Sequence, residues 1–191
     1  MKSMREKILE TAEELFMSQG YKKTSTRQIA GILGITQPNL YYHFKKKEDI
    51  YVAIMETLSK EVFENLETIR LSEDSTVKKL EKMMLYLHDR HPFDINTMMH
   101  DIHYNLSENV AEELYFLWKT SYVQPFMALF EENKAHLRKH IDIETAVHHL
   151  FVLLSRYLEP EWKGKDVRKE IQNGIDLFLY GILEKVPDSE A

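Results

Sequence analysis

Residues 24–47 read TSTRQIAGILGITQPNLYYHFKKK, a stretch that predicts two short helices joined by a tight turn. Ser25 is suited to cap the first helix, and a glutamine three residues later completes the capping-box pattern. Gly34 stands where the chain has to leave that helix and reverse its direction. Thr36 is the cap candidate of the second helix, and Pro38 falls in its first turn, where a missing N–H does no harm. The stretch is therefore predicted to be a helix-turn-helix.

The second of these helices has two chemically different sides. Leu40 and Phe44, four residues apart, share an apolar side. Asn39, Tyr42 and His43 point the other way, and three lysines follow directly. Amide, phenol and imidazole groups beside lysines suit base edges and phosphates. This pattern predicts a helix that enters the major groove of DNA.

A wider pattern extends from Ile8 to Leu58, about a quarter of the chain. Its residues are Ala12, Leu15, Phe16, Gly20, Tyr21, Thr24, Ser25, Ile29, Ala30, Gly34, Leu40, Tyr41, His43, Phe44, Lys47 and Glu48. With these residues the segment resembles the DNA-binding half of TetR-type one-component regulators. The resemblance implies a homodimer that binds a palindromic operator and releases it when a small molecule fills the carboxy-terminal domain.

The same resemblance, applied position by position, gives a set of expected DNA contacts. They are Ser25, Thr26, Arg27, Thr36, Gln37, Pro38, Asn39, Tyr41, Tyr42, His43 and Lys47. Gln37 and Pro38 occupy positions from which recognition helices of the family contact bases. The residues expected mainly to hold phosphates are Ser25, Thr26, Arg27, Tyr42 and Lys47. Tyr41 is predicted to turn partly inward.

The whole chain has the composition of a helical protein. It has 191 residues, is 43% hydrophobic, and contains only 6 glycines and 5 prolines. No segment shows a strand pattern, so we expect an all-α fold of about ten helices. It consists of an amino-terminal three-helix DNA-binding domain at 1–48 and a helical ligand-binding and dimerisation domain at 49–191. Beyond residue 48, helices are expected near 47–69, 75–91, 94–104, 108 onward, 142–158 and 166–186, with Pro125 kinking or dividing the one that starts at 108.

Charge is distributed unevenly between these two parts. The chain carries a net charge of −6, which by itself argues against a nucleic-acid partner. However, residues 1–48 hold 9 lysines and arginines against 5 acidic residues, whereas residues 49–191 hold 16 against 26. A basic end on an acidic body directs DNA toward that end.

Several classes of protein are disfavoured by what the sequence lacks. Without cysteine, neither disulfides nor thiolate zinc sites are available. The start of the chain has no apolar segment typical of a signal peptide. The longest strongly apolar run, 150–154, is far short of the roughly 20 residues that cross a bilayer. We expect a cytoplasmic protein with no membrane contact and no cofactor.

Histidines suggest an alternative chemistry. His88 and His91, like His100 and His103, have the i, i+3 spacing of helical metal ligands, although no supporting carboxylate cluster accompanies them. The His88–Asp89 pair is similar to that of HD-type phosphohydrolases, but the only histidine upstream, His43, lies on the recognition helix. An all-α metal-dependent enzyme is therefore the alternative to a non-enzymatic regulator. A third possibility, an interaction module that has lost DNA binding, is disfavoured by the intact QPNLYYHFKKK run.

Aromatic and methionine side chains are concentrated between residues 83 and 130, where they either fill a core or line a ligand cavity. Together with the resemblance, they predict a pocket for an apolar or amphipathic effector with a few polar contacts. The predicted lining residues are Met83, Met84, Met98, Met99, His100, His103, Tyr104, Trp118, Tyr122 and Phe126.

The resemblance also implies a dimer interface formed by the last two helices as a four-helix bundle. Apolar residues and two glycines seven apart share one face there, and glycines on an apolar face suggest a close helix crossing, either between subunits or within one chain. The predicted interface residues are Val147, Phe151, Leu154, Ile171, Gly174, Phe178, Gly181 and Ile182.

Overall fold

A computed structural model describes residues 2–90, 95–157, 162 and 166–182. Within these residues the protein is helical throughout and has no extended strand, which confirms the predicted all-α class. The α-helices are α1 (Met4–Lys23), α2 (Thr26–Ile32), α3 (Gln37–His43), α4 (Lys47–Arg70), α5 (Thr76–Arg90), α6 (Ile95–Tyr104), α7 (Glu108–Trp118), α8 (Gln124–Glu132), α9 (Ile143–Tyr157) and α10 (Arg168–Ile182). None of the helices in the described ranges is both long and apolar enough to span a bilayer.

Packing divides the chain into two compact units. The head unit contains residues 1–61 and 92–119, and the body unit contains residues 62–91 and 120–191. α4 belongs to the head unit up to Glu61 and continues into the body unit. The predicted division after residue 48 is a division of function and stays a prediction. The packing units differ from it because α6 and α7 join the amino-terminal helices.

The head unit begins with a capping box. The Ser3 hydroxyl accepts the Glu6 N–H, and the Glu6 carboxylate accepts the Ser3 N–H. Gly20 interrupts α1 with a φ of 81°, so the helix kinks there before a last turn to Lys23. Behind it the Phe16, Tyr21 and Tyr51 rings form an aromatic cluster with centroids 5.1–5.7 Å apart. α2 and α6 both pack against α1, which gives α3 a rigid support.

Pro125 divides the long aromatic-rich helix, as the sequence predicted. α7 ends at Trp118, a π-helical segment covers Lys119–Val123, and α8 begins at Gln124. Proline has no N–H to donate, so a regular helix through this point loses a hydrogen bond, whereas a first turn leaves that group unpaired anyway. This break lies at the boundary between the head and body units.

In the body unit α5 packs on α10, α10 on α9, and α9 on α8. A buried carboxylate joins the first pair: Glu81 on α5 accepts from Lys78 at 2.8 Å and from the Gln172 amide of α10 at 3.0 Å. Burying a carboxylate is costly unless its oxygens are paired. These partners fix the register between α5 and α10.

Candidate nucleic-acid interface

The geometry of α2 and α3 is set by the caps that the sequence indicated. Ser25 and the α2 residue Gln28 exchange hydrogen bonds of 3.2 Å and 2.8 Å, which completes the capping box. Gly34 in the turn has a φ of 65°, a conformation that favours glycine. The Thr36 hydroxyl accepts the Asn39 N–H at 3.4 Å, and Pro38 lies in the first turn of α3. The turn thus holds α3 at a defined angle to α2.

α3 has a buried side and an exposed side. Leu40 has no exposed surface, and Phe44 is buried under the guanidinium of Arg5, which lies 4.9 Å from the ring centroid. On the other side Tyr42 is 87% exposed, and its ring lies 5.3 Å from that of His43. The remaining exposed residues of the predicted DNA-contact set are Ser25, Arg27, Thr36, Gln37, Pro38, Asn39 and Tyr41. Most of the predicted contacts are therefore accessible to a ligand from solvent.

Thr26 and Tyr41 sit differently from their neighbours. Thr26 is only 9% exposed, and its hydroxyl lies 3.1 Å from the Tyr41 hydroxyl and 3.4 Å from the Gln37 amide nitrogen. Tyr41 is 44% exposed, consistent with its predicted partly inward orientation. No sequence pattern indicates that the Thr26 hydroxyl connects the side chains of Gln37 and Tyr41.

Lys47 has a structural role that the sequence analysis missed. Its ammonium donates to the carbonyl oxygens of Tyr21 and Thr24, each at 2.9 Å, and lies 3.8 Å from the Tyr21 ring centroid. Burial lowers the pKa of Lys47 from its ordinary value, and the nearby carboxylates of Asp101 and Glu48 oppose that shift. Lys47 therefore closes the end of α1, which uses two of the three N–H groups it was predicted to offer to phosphates.

Carboxylates attach α6 to α1 and α7 to α4. The buried Asp101 of α6 accepts the Tyr21 N–H at 2.9 Å just after the kink of α1, and it also accepts the Asn105 amide at 2.8 Å. Glu48 of α4 accepts the backbone N–H of Ser107 at 2.7 Å. Ser107 is the N-cap of α7, but its side chain makes no capping hydrogen bond. Neither contact was predicted, because both join residues far apart in sequence.

The Tyr21 side chain is buried in the same region. Desolvation raises the pKa of Tyr21 to about 12, and the carboxylates of Glu48, Asp101 and Asp49 act in the same direction. The phenol consequently remains neutral at physiological pH and cannot offset the charge of Lys47. The Tyr21 backbone thus supplies an acceptor to Lys47 and a donor to Asp101.

The predicted ligand-contact residues fall in both packing units. Met83, Met84, Tyr122 and Phe126 are buried in the body unit. The head unit holds Met99, His100, His103, Tyr104 and Trp118, of which His100, His103 and Tyr104 are exposed on α6. The Met98 side chain lies outside the described residues. A cavity of about 640 Å³ in the body unit is lined by other residues, between the end of α8 and the start of α9.

The sequence leaves a metal site open as an alternative. Within the described residues, no three histidine or carboxylate side chains approach closely enough to hold an ion. His88 is hydrogen-bonded through Nδ1 to the Tyr157 carbonyl at 2.8 Å. His100 and His103 instead contact the Tyr104 ring, with centroids 4.9 Å and 4.6 Å away. His91 lies outside the described residues.

The residues predicted for the dimer interface lie in different environments, and the interface itself stays a prediction. Val147, Ile171 and Gly174 are buried inside the body unit, and the Phe151 and Phe178 rings pack on Phe126 and Phe130 at 5.2 Å and 6.2 Å. A Cβ at Gly174 would meet Leu153 and the Tyr157 hydroxyl at 3.3 Å, so the close helix crossing is between α9 and α10 of one chain. The side chains of Leu154, Gly181 and Ile182 lie outside the described residues. The large apolar side chains that α9 and α10 leave exposed are Val152, Leu177 and Tyr180.

The buried core, the tight turn and the polar outer face of α3 together form a helix-turn-helix. Residues 8–54 match the family model described as bacterial regulatory proteins, tetR family. The amino-terminal part of the chain is therefore similar to the DNA-binding domain of that family.

Curated relatives match the same part of the chain. The HTH-type transcriptional regulator QacR of Staphylococcus aureus (strain Mu50 / ATCC 700699) is 42% identical over 53 residues, 28% of each chain. The tetracycline repressor protein class C of Escherichia coli is 40% identical over 57 residues, 30% of this chain and 26% of its own. These matches cover only about a quarter of the relatives' lengths.

Solved structures match the fold along nearly the whole chain. A transcriptional regulator of the TetR/AcrR family from Thermobifida fusca YX-ER1 is 28% identical, with a TM-score of 0.63 over 93% of this chain and 97% of that one. The fatty acid degradation regulator FadR from Bacillus halodurans reaches a TM-score of 0.73 at 16% identity, over 95% of this chain and 97% of that one. At such low identity the second likeness concerns the fold alone.

Proposed function

We propose that the protein is a homodimeric transcriptional repressor that binds a palindromic operator and releases it when a small apolar or amphipathic molecule binds. The observation that carries the DNA-binding part is the outer face of α3. Tyr42 is 87% exposed there, and Gln37 and Asn39 are exposed as well. Exposed amide and phenol groups next to lysines are suited to base edges and phosphates.

The charge distribution supports the same part of the proposal. Residues 1–48 carry nine basic against five acidic side chains, while the remainder of the chain is acidic. A long-range field of this kind attracts the phosphate backbone toward the head unit and repels it from the body.

Ligand response is supported by composition and by burial in the body unit. Met83, Met84 and Phe126 have no exposed surface, and Tyr122 is nearly buried. Flexible thioethers and aromatic rings repack readily around apolar molecules. A ligand that enters among them has to displace packed side chains, and this displacement is the conformational change that we propose. A neighbour of similar fold, a regulator from Saccharomonospora viridis, was solved in complex with choline.

The head unit contains the contacts through which such a change would alter DNA affinity. Asp101 on α6 holds the backbone of Tyr21, and Lys47 at the start of α4 holds the carbonyls of Tyr21 and Thr24. A shift of α6 or α4 therefore pulls directly on the helices that carry α3. The effector changes operator affinity only as far as it binds the two conformations differently.

For the homodimer we now propose a different face from the one predicted. Leu177 and Tyr180 on α10 are 78% and 81% exposed, and Val152 on α9 is also exposed. Large apolar side chains this open to water are suited to an isologous contact with a second copy of the chain. The inward-facing residues of the same helices hold each body unit together.

Two experiments in sequence test the proposal. The full chain is first used to enrich duplexes from a randomised double-stranded DNA library, and the enriched sequence is expected to be an inverted repeat. A panel of apolar and amphipathic compounds is then screened for thermal stabilisation of the protein, and the stabilising compounds are tested for release of the enriched duplex. Failure to enrich any sequence would contradict the DNA-binding part, and stabilising compounds without release would contradict the inducer part.

A further inference from the structure

We infer that Thr26 is a positioning residue that determines how Gln37 presents its amide to a base pair. This inference rests on the proposed DNA binding and concerns the base preference of that same surface. Thr26 is the first residue of α2 and Gln37 the first residue of α3, and a hydrogen bond joins their side chains. The Gln37 Nε2 atom lies 3.4 Å from the Thr26 Oγ1 atom, which is 3.1 Å from the Tyr41 hydroxyl.

Burial gives this small network its directional effect. Thr26 is 9% exposed, so water has little access to its hydroxyl, whereas the Gln37 side chain is exposed. A threonine hydroxyl has one proton and two lone pairs. The Thr26 and Tyr41 hydroxyls are hydrogen-bonded to each other, and the Thr26 oxygen accepts the N–H that Gln37 donates. The donor side of the amide is thereby held inward.

Fixing the amide nitrogen also fixes the oxygen. Oε1 and Nε2 are the two branches of one planar group, so an inward Nε2 turns Oε1 away from Thr26. Without the hydroxyl, the amide is free to rotate by 180° and to present either branch. The Thr26–Gln37 contact therefore selects an acceptor as the outward group, and the second N–H of Nε2 remains available beside it.

An outward acceptor with a neighbouring donor distinguishes bases in the major groove. Adenine offers the N6 donor and the N7 acceptor, which match Oε1 and the second N–H of Gln37. Guanine offers two acceptors, O6 and N7, and its O6 would face the Oε1 oxygen. The geometry thus favours adenine over guanine at the base pair that Gln37 contacts. Thr26 acts on this choice without touching the base.

The test compares Thr26→Val with Thr26→Ser in the full chain. Valine keeps the shape of threonine but lacks the hydroxyl, whereas serine keeps the hydroxyl. Each variant and the wild type enrich duplexes from the same randomised library, and Gln37→Ala identifies the base pair in question. For that base pair, binding constants are then measured for duplexes that differ only in adenine or guanine, together with the salt dependence.

Wild type and Thr26→Ser are expected to prefer adenine, and Thr26→Val to lose about tenfold of that preference while keeping its salt slope. The inference is overturned if Thr26→Val keeps the preference for adenine but binds every duplex more weakly with a reduced salt slope, since Thr26 would then be a phosphate contact. Enrichment of no sequence by the wild type would instead refute the proposed DNA binding itself. If Thr26→Val does not fold, Thr26→Ala removes the same hydroxyl without added bulk and takes its place in every comparison.

Discussion

The helix-turn-helix and the α9–α10 pair differ in how well the sequence predicts which of their residues are buried and which are exposed. In α2 and α3 the caps, the turn glycine and the inward Leu40 all lie where the sequence predicts. In α9 and α10, three of the residues predicted to join two subunits, Val147, Ile171 and Gly174, are buried within one chain. Leu177 and Tyr180, which the prediction omitted, are exposed.

The difference comes from the range of the interactions that decide each case. Capping boxes and left-handed glycines depend on residues three or four apart, so the sequence contains the whole interaction. A helix with apolar residues on more than one face has two surfaces to bury, and the sequence does not say which partner covers which. Periodicity identifies an apolar face but does not distinguish the chain's own core from a second subunit.

The largest effects should come from replacing the buried and the exposed apolar residues of α10 with alanine. Ile171→Ala removes buried atoms from the body unit and should lower the free energy of unfolding by about 2–5 kcal/mol. The double variant Leu177→Ala, Tyr180→Ala should leave the fold nearly unchanged and weaken self-association by at least about tenfold. Chemical denaturation and sedimentation at several concentrations separate the two. Dissociation by Ile171→Ala without loss of fold stability would restore the original interface assignment.

The second effect concerns the two roles of Lys47. Lys47→Ala leaves the carbonyls of Tyr21 and Thr24 without their charged donor and should lower the free energy of unfolding by about 1.5–3 kcal/mol. Lys46→Ala, at an exposed neighbouring position, should not change stability measurably, but it should weaken binding to all duplexes alike and lower the salt slope by roughly one per subunit. Thermal unfolding and binding titrations at several salt concentrations provide both quantities. A Lys47→Ala protein of normal stability would show that the α1 contact contributes little.

Lys47 also illustrates how much of the candidate site could be predicted from the sequence. Of the predicted DNA contacts on α3, Gln37, Asn39 and Tyr42 are exposed, and their contact with DNA stays a prediction. The structural role of Lys47 was not predicted, because its hydrogen-bond partners Tyr21 and Thr24 are more than twenty positions away in the sequence. The role of Asp101 was not predicted for the same reason, since eighty positions separate it from Tyr21. Long-range polar contacts have no periodic signal.

A third effect tests base reading at the outer face. Gln37→Ala should lose about 1–3 kcal/mol of discrimination at a single base pair and leave the preference at the others unchanged. Lys46→Ala is the matched control, since a phosphate contact affects all sequences equally. Competition binding with duplexes substituted at one position at a time measures the profile. A uniform loss for Gln37→Ala would place this side chain on the phosphate backbone instead.

The smallest effect concerns two glycines of the helix-turn-helix. An added Cβ meets nothing within 4 Å at either Gly31 or Gly34, but only Gly34 has a positive φ. Gly31→Ala should therefore stabilise the protein by about 0.5–1 kcal/mol through helix propensity. Gly34→Ala should destabilise it by about 1–2 kcal/mol through backbone strain. Thermal denaturation resolves the opposite signs, and equal shifts in one direction would contradict the assigned turn conformation.

The most direct test of the central claim, that the outer face of α3 reads DNA as part of a two-fold dimer, is a footprint of the full chain on its enriched duplex. The account predicts protected major-groove segments related by two-fold symmetry, with centres about 34–36 Å apart or a multiple of that distance. Protection should be lost with Tyr42→Ala, because this side chain is 87% exposed on α3. A single asymmetric footprint, or one that Tyr42→Ala leaves intact, would contradict it.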